Sequence, residues 1–124
     1  MKTGLVVDDA AIMRMRLREI LEPKYKVVGE AGDGDEALRL FKKLEPDFIT
    51  LDISMPGTNG MQALEQLRAD HPGARVVIVS AVGQKRLVIE ALQMGAADFV
   101  IKPFEADRVL EAIERLFCVE GAAK

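Results

Sequence analysis

The chain is poor in the residues that build soft metal sites and disulfide frameworks: it has one cysteine, Cys118, one histidine, His71, one tyrosine and no tryptophan. A single cysteine closes no internal disulfide and reads as a small apolar residue in a reducing cytosol. His71 stands in the turn composition Asp70-His71-Pro72-Gly73 and reads as a solvated loop residue, not as a ligand or phosphocarrier. No apolar stretch approaches the roughly 18 residues of a membrane span. The run after Lys2 is cut at once by Asp8-Asp9, so no signal peptide is expected. An excess of positive charge is missing too: the net charge is −3, which makes nucleic acid an unexpected partner. Low-complexity segments and linkers are absent. With 124 residues, 49% hydrophobic and 30% charged, what is left is one soluble domain. At that size about two thirds of the unfolded surface is buried without staples.

What the chain does have is a regular alternation of short apolar runs and amphipathic stretches. Leu5-Val6-Val7 is the first run. Met13, Leu17, Ile20 and Leu21 follow at helical spacing, with Arg14, Arg16, Arg18 and Glu19 on the other side, and Pro23 closes this helix. Tyr25 to Gly29 reads as an outer strand. Asp33 starts a second helix carrying Ala37, Phe41 and Leu44, ended by Pro46. Residues 48–51, FITL, form a strand covered on both faces. Asn59 can cap a third helix with Met61, Leu64 and Leu67 inward, and Val76 to Val79 is another buried strand. A fourth helix spans about 84–94 and stops at Gly95, a position suited to left-handed backbone. Its stripe Val88, Ala91 and Leu92 should face the sheet, leaving Leu87, Ile89 or Met94 partly exposed. Asp98 to Ile101 is the fifth strand, and a last helix runs from about Ala106 to Cys118. Five βα units predict an α/β fold: a doubly wound, flavodoxin-like parallel sheet in the order 2-1-3-4-5.

In such sheets ligands collect at the carboxyl ends of the strands, at the switch point between the first and third. Here those ends carry Asp8 and Asp9, then Asp52, then Ser80, then Lys102. One acid at a strand end is usually a cap or a turn residue. Three on adjacent strands are harder to explain that way, because like charges 4 Å apart repel by about 4 kcal/mol at an effective dielectric of 20. Such a cluster needs a bound cation, a raised pKa, or both. Hard oxygen ligands without histidine or cysteine point to Mg2+. Lys102 suits a phosphoryl oxygen and Ser80 can donate to another. The set predicts a phosphoryl-transfer site with a carboxylate as its covalent nucleophile.

Val6-Val7-Asp8-Asp9, Leu51-Asp52-Ile53-Ser54-Met55-Pro56-Gly57 with Asn59-Gly60, Val79-Ser80-Ala81 and Val100-Ile101-Lys102-Pro103-Phe104 together resemble the receiver domain of bacterial two-component response regulators. The likeness covers about residues 3–118 of a single receiver domain, 1–124. It implies that Asp52 is the phosphoacceptor. Asp9, Asp52 and the backbone carbonyl of Ser54 would ligate Mg2+ directly, with Asp8 acting mainly through a bound water. Ser80 would be the switch hydroxyl, Phe99 the switch aromatic and Lys102 the matching lysine. A cis peptide between Lys102 and Pro103 is implied as well, and so is a rigid turn after Asp52 that sets a carbonyl against the metal.

The resemblance is closest to the single-domain chemotaxis regulators, through Asp9-Ala10-Ala11-Ile12-Met13-Arg14 and Ser80-Ala81-Val82-Gly83-Gln84. It implies a cytoplasmic, monomeric signalling domain that is not an enzyme toward other substrates. The phosphodonor would be a histidine kinase. The output would be a protein target such as a flagellar switch, with a phosphatase as a further partner and neither nucleic acid nor membrane touched directly. Phe99 stands where those regulators have tyrosine, and Ser54 and Val82 occupy positions that tune acyl-phosphate lifetime in the family. After the last helix little more than residues 120–124 remain, so the expectation is a receiver acting alone or one cut from a longer regulator. Two other classes are remote. An aspartate-nucleophile phosphatase expects a second aspartate where Ser54 stands, and a flavin carrier expects a Ser/Thr-rich loop where Asp8-Asp9-Ala10-Ala11 stands.

Overall fold

A computed structural model describes residues 1–54 and 60–122, the side chains of 118–122 excepted. The elements alternate strictly: β1 (Thr3–Val7), α1 (Ala11–Leu21), β2 (Lys26–Ala31), α2 (Gly34–Leu44), β3 (Phe48–Asp52), α3 (Gly60–Asp70), β4 (Val76–Ser80), α4 (Lys85–Gln93), β5 (Asp98–Ile101) and α5 (Ala106–Ala122). The five strands form one parallel sheet in the order β2-β1-β3-β4-β5, as the alternation predicts. The turn at Met55-Pro56-Gly57 and the Asn59 cap lie outside the described residues, as does the side chain of Cys118.

Two cores flank the sheet because successive strand residues point to opposite faces. Leu5, Val7, Ile49, Leu51 and Ile78 pack with Phe41 of α2, Leu64 and Leu67 of α3, and Val88 and Ala91 of α4. Val6, Phe48, Val77, Val79 and Val100 pack with Leu17 and Leu21 of α1 and Ile113 of α5. β3 and β4 are buried along their whole length, which explains why both lack the polar alternation of an edge strand. Local chemistry sets the ends. Asp33 Oδ1 accepts from the Glu36 amide at 2.8 Å, and Glu36 Oε1 accepts from the Gly32 amide at 2.9 Å, closing a reciprocal cap on α2. Beyond α4, Gly95 takes φ 109°, the left-handed backbone for which glycine is suited. At the amino end of the sheet, Asp47 Oδ2 accepts from the Thr3 amide at 2.7 Å, which holds the Asp47 carboxyl below the usual range.

Departures from the sequence reading include the bounds of β2 and α5 and the buried face of α4. β2 begins at Lys26 and runs on to Ala31, with a register shift opposite Gly4 and Leu5. Pairing of Glu30 with Val6 and of Ala31 with Val7 carries the strand past Gly29, where the apolar run stops. α5 continues to Ala122. On α4 the inward residues are Val88 and Ala91, with Leu87 and Met94 half-buried against the core, whereas Leu92 is exposed beside Ile89. The buried row is 87, 88, 91 and 94, and Leu92 falls on its flank.

Among the described residues, one buried side-chain oxygen of the sheet has no hydrogen-bond partner. Thr50 is buried in β3 and its Oγ1 meets no hydrogen-bonding group among the described residues. Valine has nearly the same shape without the desolvated hydroxyl. Thr50→Val is therefore expected to stabilise the fold by about 1 kcal/mol, measured as a higher urea midpoint at unchanged slope. A lower midpoint would mean that the hydroxyl has a partner in solution.

Candidate functional site

Each functional side chain sits where a strand runs out of sheet. Asp8 follows β1, Asp52 is the last residue of β3, Ser80 the last of β4, and Lys102 the first after β5. Asp8, Asp52 and Ser80 are all buried. Parallel pairing brings these ends to one rim, and carboxylate oxygens of Asp8, Asp9 and Asp52 lie within 4.8 Å of one another.

Lys102 bridges the cluster. Its Nζ stands 2.8 Å from Asp8 Oδ2 and 3.2 Å from Asp52 Oδ2, with the lysine side chain 21% exposed. Its backbone amide donates to the Ser80 carbonyl at 2.7 Å, fixing the loop to β4, and the Lys102–Pro103 peptide is cis. The Asp8 Oδ2 contact compensates charge without making a well-directed hydrogen bond; Asp8 Oδ1 accepts from the Ala10 amide at 2.9 Å. Asp52 Oδ1 accepts from the Ser54 amide at 2.8 Å. Burial pushes the Asp52 carboxyl above its ordinary pKa, and the neighbouring Asp8 charge adds to this. The Ser54 amide and Lys102 oppose the rise without cancelling it. For Lys102, burial is the largest single influence and acts downward. The contacts with Asp8 and Asp52 together outweigh it and raise the pKa of the ammonium.

Ser80 Oγ donates to the Ala81 carbonyl at 3.0 Å, and the Ala81 amide donates to Ser54 Oγ at 3.3 Å, tying the loop after β3 to the loop after β4. Phe99 is half-buried on β5. It lines an apolar groove of about 320 Å³ with Val82, Val88, Ile89, Leu92 and Ile101. Arg108 of α5 covers its ring at 5.7 Å and donates to its carbonyl oxygen. The site residues expected from sequence thus share one rim, and Phe99 stands in the adjoining groove.

The family model of the response regulator receiver domain matches residues 5–114. The chain belongs to that family. This receiver is 50% identical over 113 residues to protein CcdB of Bacillus subtilis, covering 90% of this chain and 94% of that one. It is 46% identical over 116 residues to the chemotaxis protein CheY of Thermotoga maritima, covering 93% and 97%. Among solved structures, the CheX-CheY-BeF3-Mg complex of Borrelia burgdorferi superposes with a TM-score of 0.89 at 32% identity, over 94% of this chain and 89% of that one.

The receiver's donor set suits a hard divalent cation. Three carboxylates converge, and one buried oxygen, Asp8 Oδ2, lacks a directed hydrogen bond. Two supporting residues escape the sequence reading. Gly60, the first residue of α3, packs so closely that a Cβ there would overlap the Asp52 carbonyl and come within 2.6 Å of Ile53 Cα; in sequence the Asn59-Gly60 pair enters only as a helix cap and part of the family likeness, without this packing role. Arg14 is assigned by its periodicity to the outer side of α1, yet its Nη1 donates to the Asp8 carbonyl at 2.7 Å. Its spacing from Asp8-Asp9, one turn into the helix that follows, is the signal that could have found it.

Proposed function

We propose that this receiver accepts a phosphoryl group on Asp52 from a phosphohistidine of a histidine kinase and answers by changing a protein-binding surface. The observation that carries the reading is the rim itself: Asp52 buried at a strand end, with Asp8 and Asp9 beside it and Lys102 reaching two of the three carboxylates. In the transfer an Asp52 Oδ–P bond forms as the P–N bond breaks, and the released imidazole nitrogen keeps the electron pair and takes up a proton. Asp52 is held for this by the Ser54 amide on one oxygen and Lys102 on the other. Asp8, Asp9, Asp52 and the Ser54 carbonyl are the groups that would hold Mg2+, and the ion would neutralise charge on the phosphoryl oxygens. As a single receiver domain with its core at about 3–118, the chain acts as a cytoplasmic, monomeric signalling protein of the chemotaxis kind. Its partners are a kinase, an output protein such as a flagellar switch, and a phosphatase.

The phosphoryl group adds about one unit of negative charge and three acceptor oxygens at the rim. Ser80 Oγ meets them by leaving the Ala81 carbonyl, and the volume it vacates lets Phe99 turn further inward. Phe99 is already half-buried, so burying the rest of the ring favours the inward state by about 1 kcal/mol, roughly half the value of full transfer and enough for about a fivefold change in population. The reshaped surface is the groove between α4 and β5, together with α5. Beryllofluoride with Mg2+ is expected to shift amide resonances throughout residues 84–118 as well as beside Asp52. Shifts confined to the loops around Asp52 would show that no relay reaches the groove.

A further inference from the structure

Asp9 is the least anchored of the three acids. It is exposed, and its carboxylate makes no hydrogen bond or ion pair among the described residues. Its place therefore depends on its backbone. The peptide that joins Asp8 to Asp9 is planar, so whatever grips the Asp8 carbonyl also orients the Asp9 nitrogen and sets the direction in which its side chain leaves. Arg14 Nη1 grips that carbonyl at 2.7 Å. On the other side of the same residue, the Asp8 amide donates to the Ala31 carbonyl at 3.0 Å, completing the hold on β2.

Arg14 is itself aimed. Its Nε donates to Glu30 Oε1 at 3.1 Å, and the other Glu30 oxygen accepts from Arg18 Nε at 2.8 Å. Glu30 lies at the end of β2 directly beside Val6 of β1. Arg18 above all, and Arg14 with it, hold the Glu30 carboxyl below its usual pKa, against the effect of burial. A guanidinium can serve a carboxylate with one nitrogen and a carbonyl with another in a fixed fork; an ammonium is a point donor and has no such geometry. The Arg14 side chain is 22% exposed, so it is packed in place as well as bonded.

We infer that Arg14 is a positioning residue for the acidic rim: through the Asp8 carbonyl it fixes the Asp8–Asp9 turn and thereby sets the affinity of the site for Mg2+. The inference rests on the receiver reading of that rim. It has an opposite sign from the simple electrostatic alternative. Deleting a cation near an anionic site should tighten Mg2+ if charge alone mattered, whereas loss of positioning weakens it.

The test is a Mg2+ titration followed by the amide resonances of residues 8–10, with thermal melts alongside. Arg14→Met is expected to weaken Mg2+ by roughly tenfold, the lower end of what residues orienting metal ligands are worth. Arg14→Lys, which keeps the charge and one donor, should fall between Arg14→Met and wild type, and it carries the test if the methionine variant does not fold. Asp47→Ala, at the opposite edge of the sheet, is the control: it loses the Thr3 hydrogen bonds and melts lower, but should bind Mg2+ like wild type. Affinity equal to or tighter than wild type in both Arg14 variants would overturn the role of Arg14 while leaving the receiver site standing. A wild-type protein that binds no Mg2+ would overturn the site reading, and the role of Arg14 with it.

Discussion

Asp52→Asn takes up no phosphoryl group and, at neutral pH without Mg2+, melts at a higher temperature than the wild type. The first half follows from chemistry: the amide that replaces the carboxylate has no anionic oxygen to form the acyl phosphate. The second half follows from the site's electrostatics. The Asp52 carboxyl is pushed above its ordinary pKa by burial and by Asp8, so the folded state disfavours its charge even with the Ser54 amide and Lys102 in place. For a carboxylate of this kind both states are protonated well below the unfolded pKa, and no penalty applies there. The penalty grows as pH rises and is complete above the folded pKa. Asparagine retains an acceptor oxygen for the Ser54 amide and carries no charge at any pH. The gap between the two melting curves should therefore open from about pH 4 upward and close in acid. Intact-protein mass spectrometry after treatment with a small acyl phosphate and Mg2+ reads the first half, and a series of melts reads the second. Equal labelling of both proteins would remove Asp52 from its role. A variant less stable than wild type at neutral pH would mean that Lys102 does more for Asp52 than burial costs it.

The parts of this molecule that were legible in sequence are those whose signal is local. Val76 to Val79 is apolar at every position because β4 is covered on both faces, and a run of that kind needs no partner to be recognised. The strand-end acids were legible for the same reason, since each ends such a run. What sequence spacing does not carry is which of two neighbouring faces a helix buries, or which groups meet across the fold. Leu92 and Ala91 look alike in the α4 pattern; only the line of contact with the sheet separates a buried residue from one in the groove. Arg14 looks like any solvated arginine until β2 brings Glu30 beside it. Thr50 reads as an ordinary strand former, and its partnerless hydroxyl is visible only once its surroundings are known. Lys102 and Asp52 are 50 residues apart in the chain, and their pairing becomes an expectation only after the strand order is assumed.

That pairing carries the second large effect. Lys102→Met should destabilise the metal-free protein by about 3 kcal/mol, the lower end of the cost of removing one partner of a buried ion pair, because the lysine side chain keeps 21% of its exposure. Methionine retains most of the aliphatic bulk, so the loss is one of charge compensation, not of packing. Two conditions should restore the variant selectively. Acid should do so because, with Lys102 gone, the downward pull on the Asp52 pKa disappears while burial and Asp8 still push it up. The neutral form then dominates over a wider range, and the deficit shrinks as pH falls toward that raised pKa. Mg2+ should do so because a divalent cation at the rim replaces the missing charge; its stabilisation, RT ln(1 + [Mg2+]/Kd), grows as Kd falls when a competing ammonium is removed. Melts at pH 5 and pH 7.5, each with and without millimolar Mg2+, separate these effects. The expected pattern is a deficit that is largest at pH 7.5 without metal and smaller in each of the other three conditions. A deficit that ignores both pH and Mg2+ would mean that Lys102 fills space and does not neutralise Asp8 and Asp52. The rim would then have to tolerate its carboxylates by some other means.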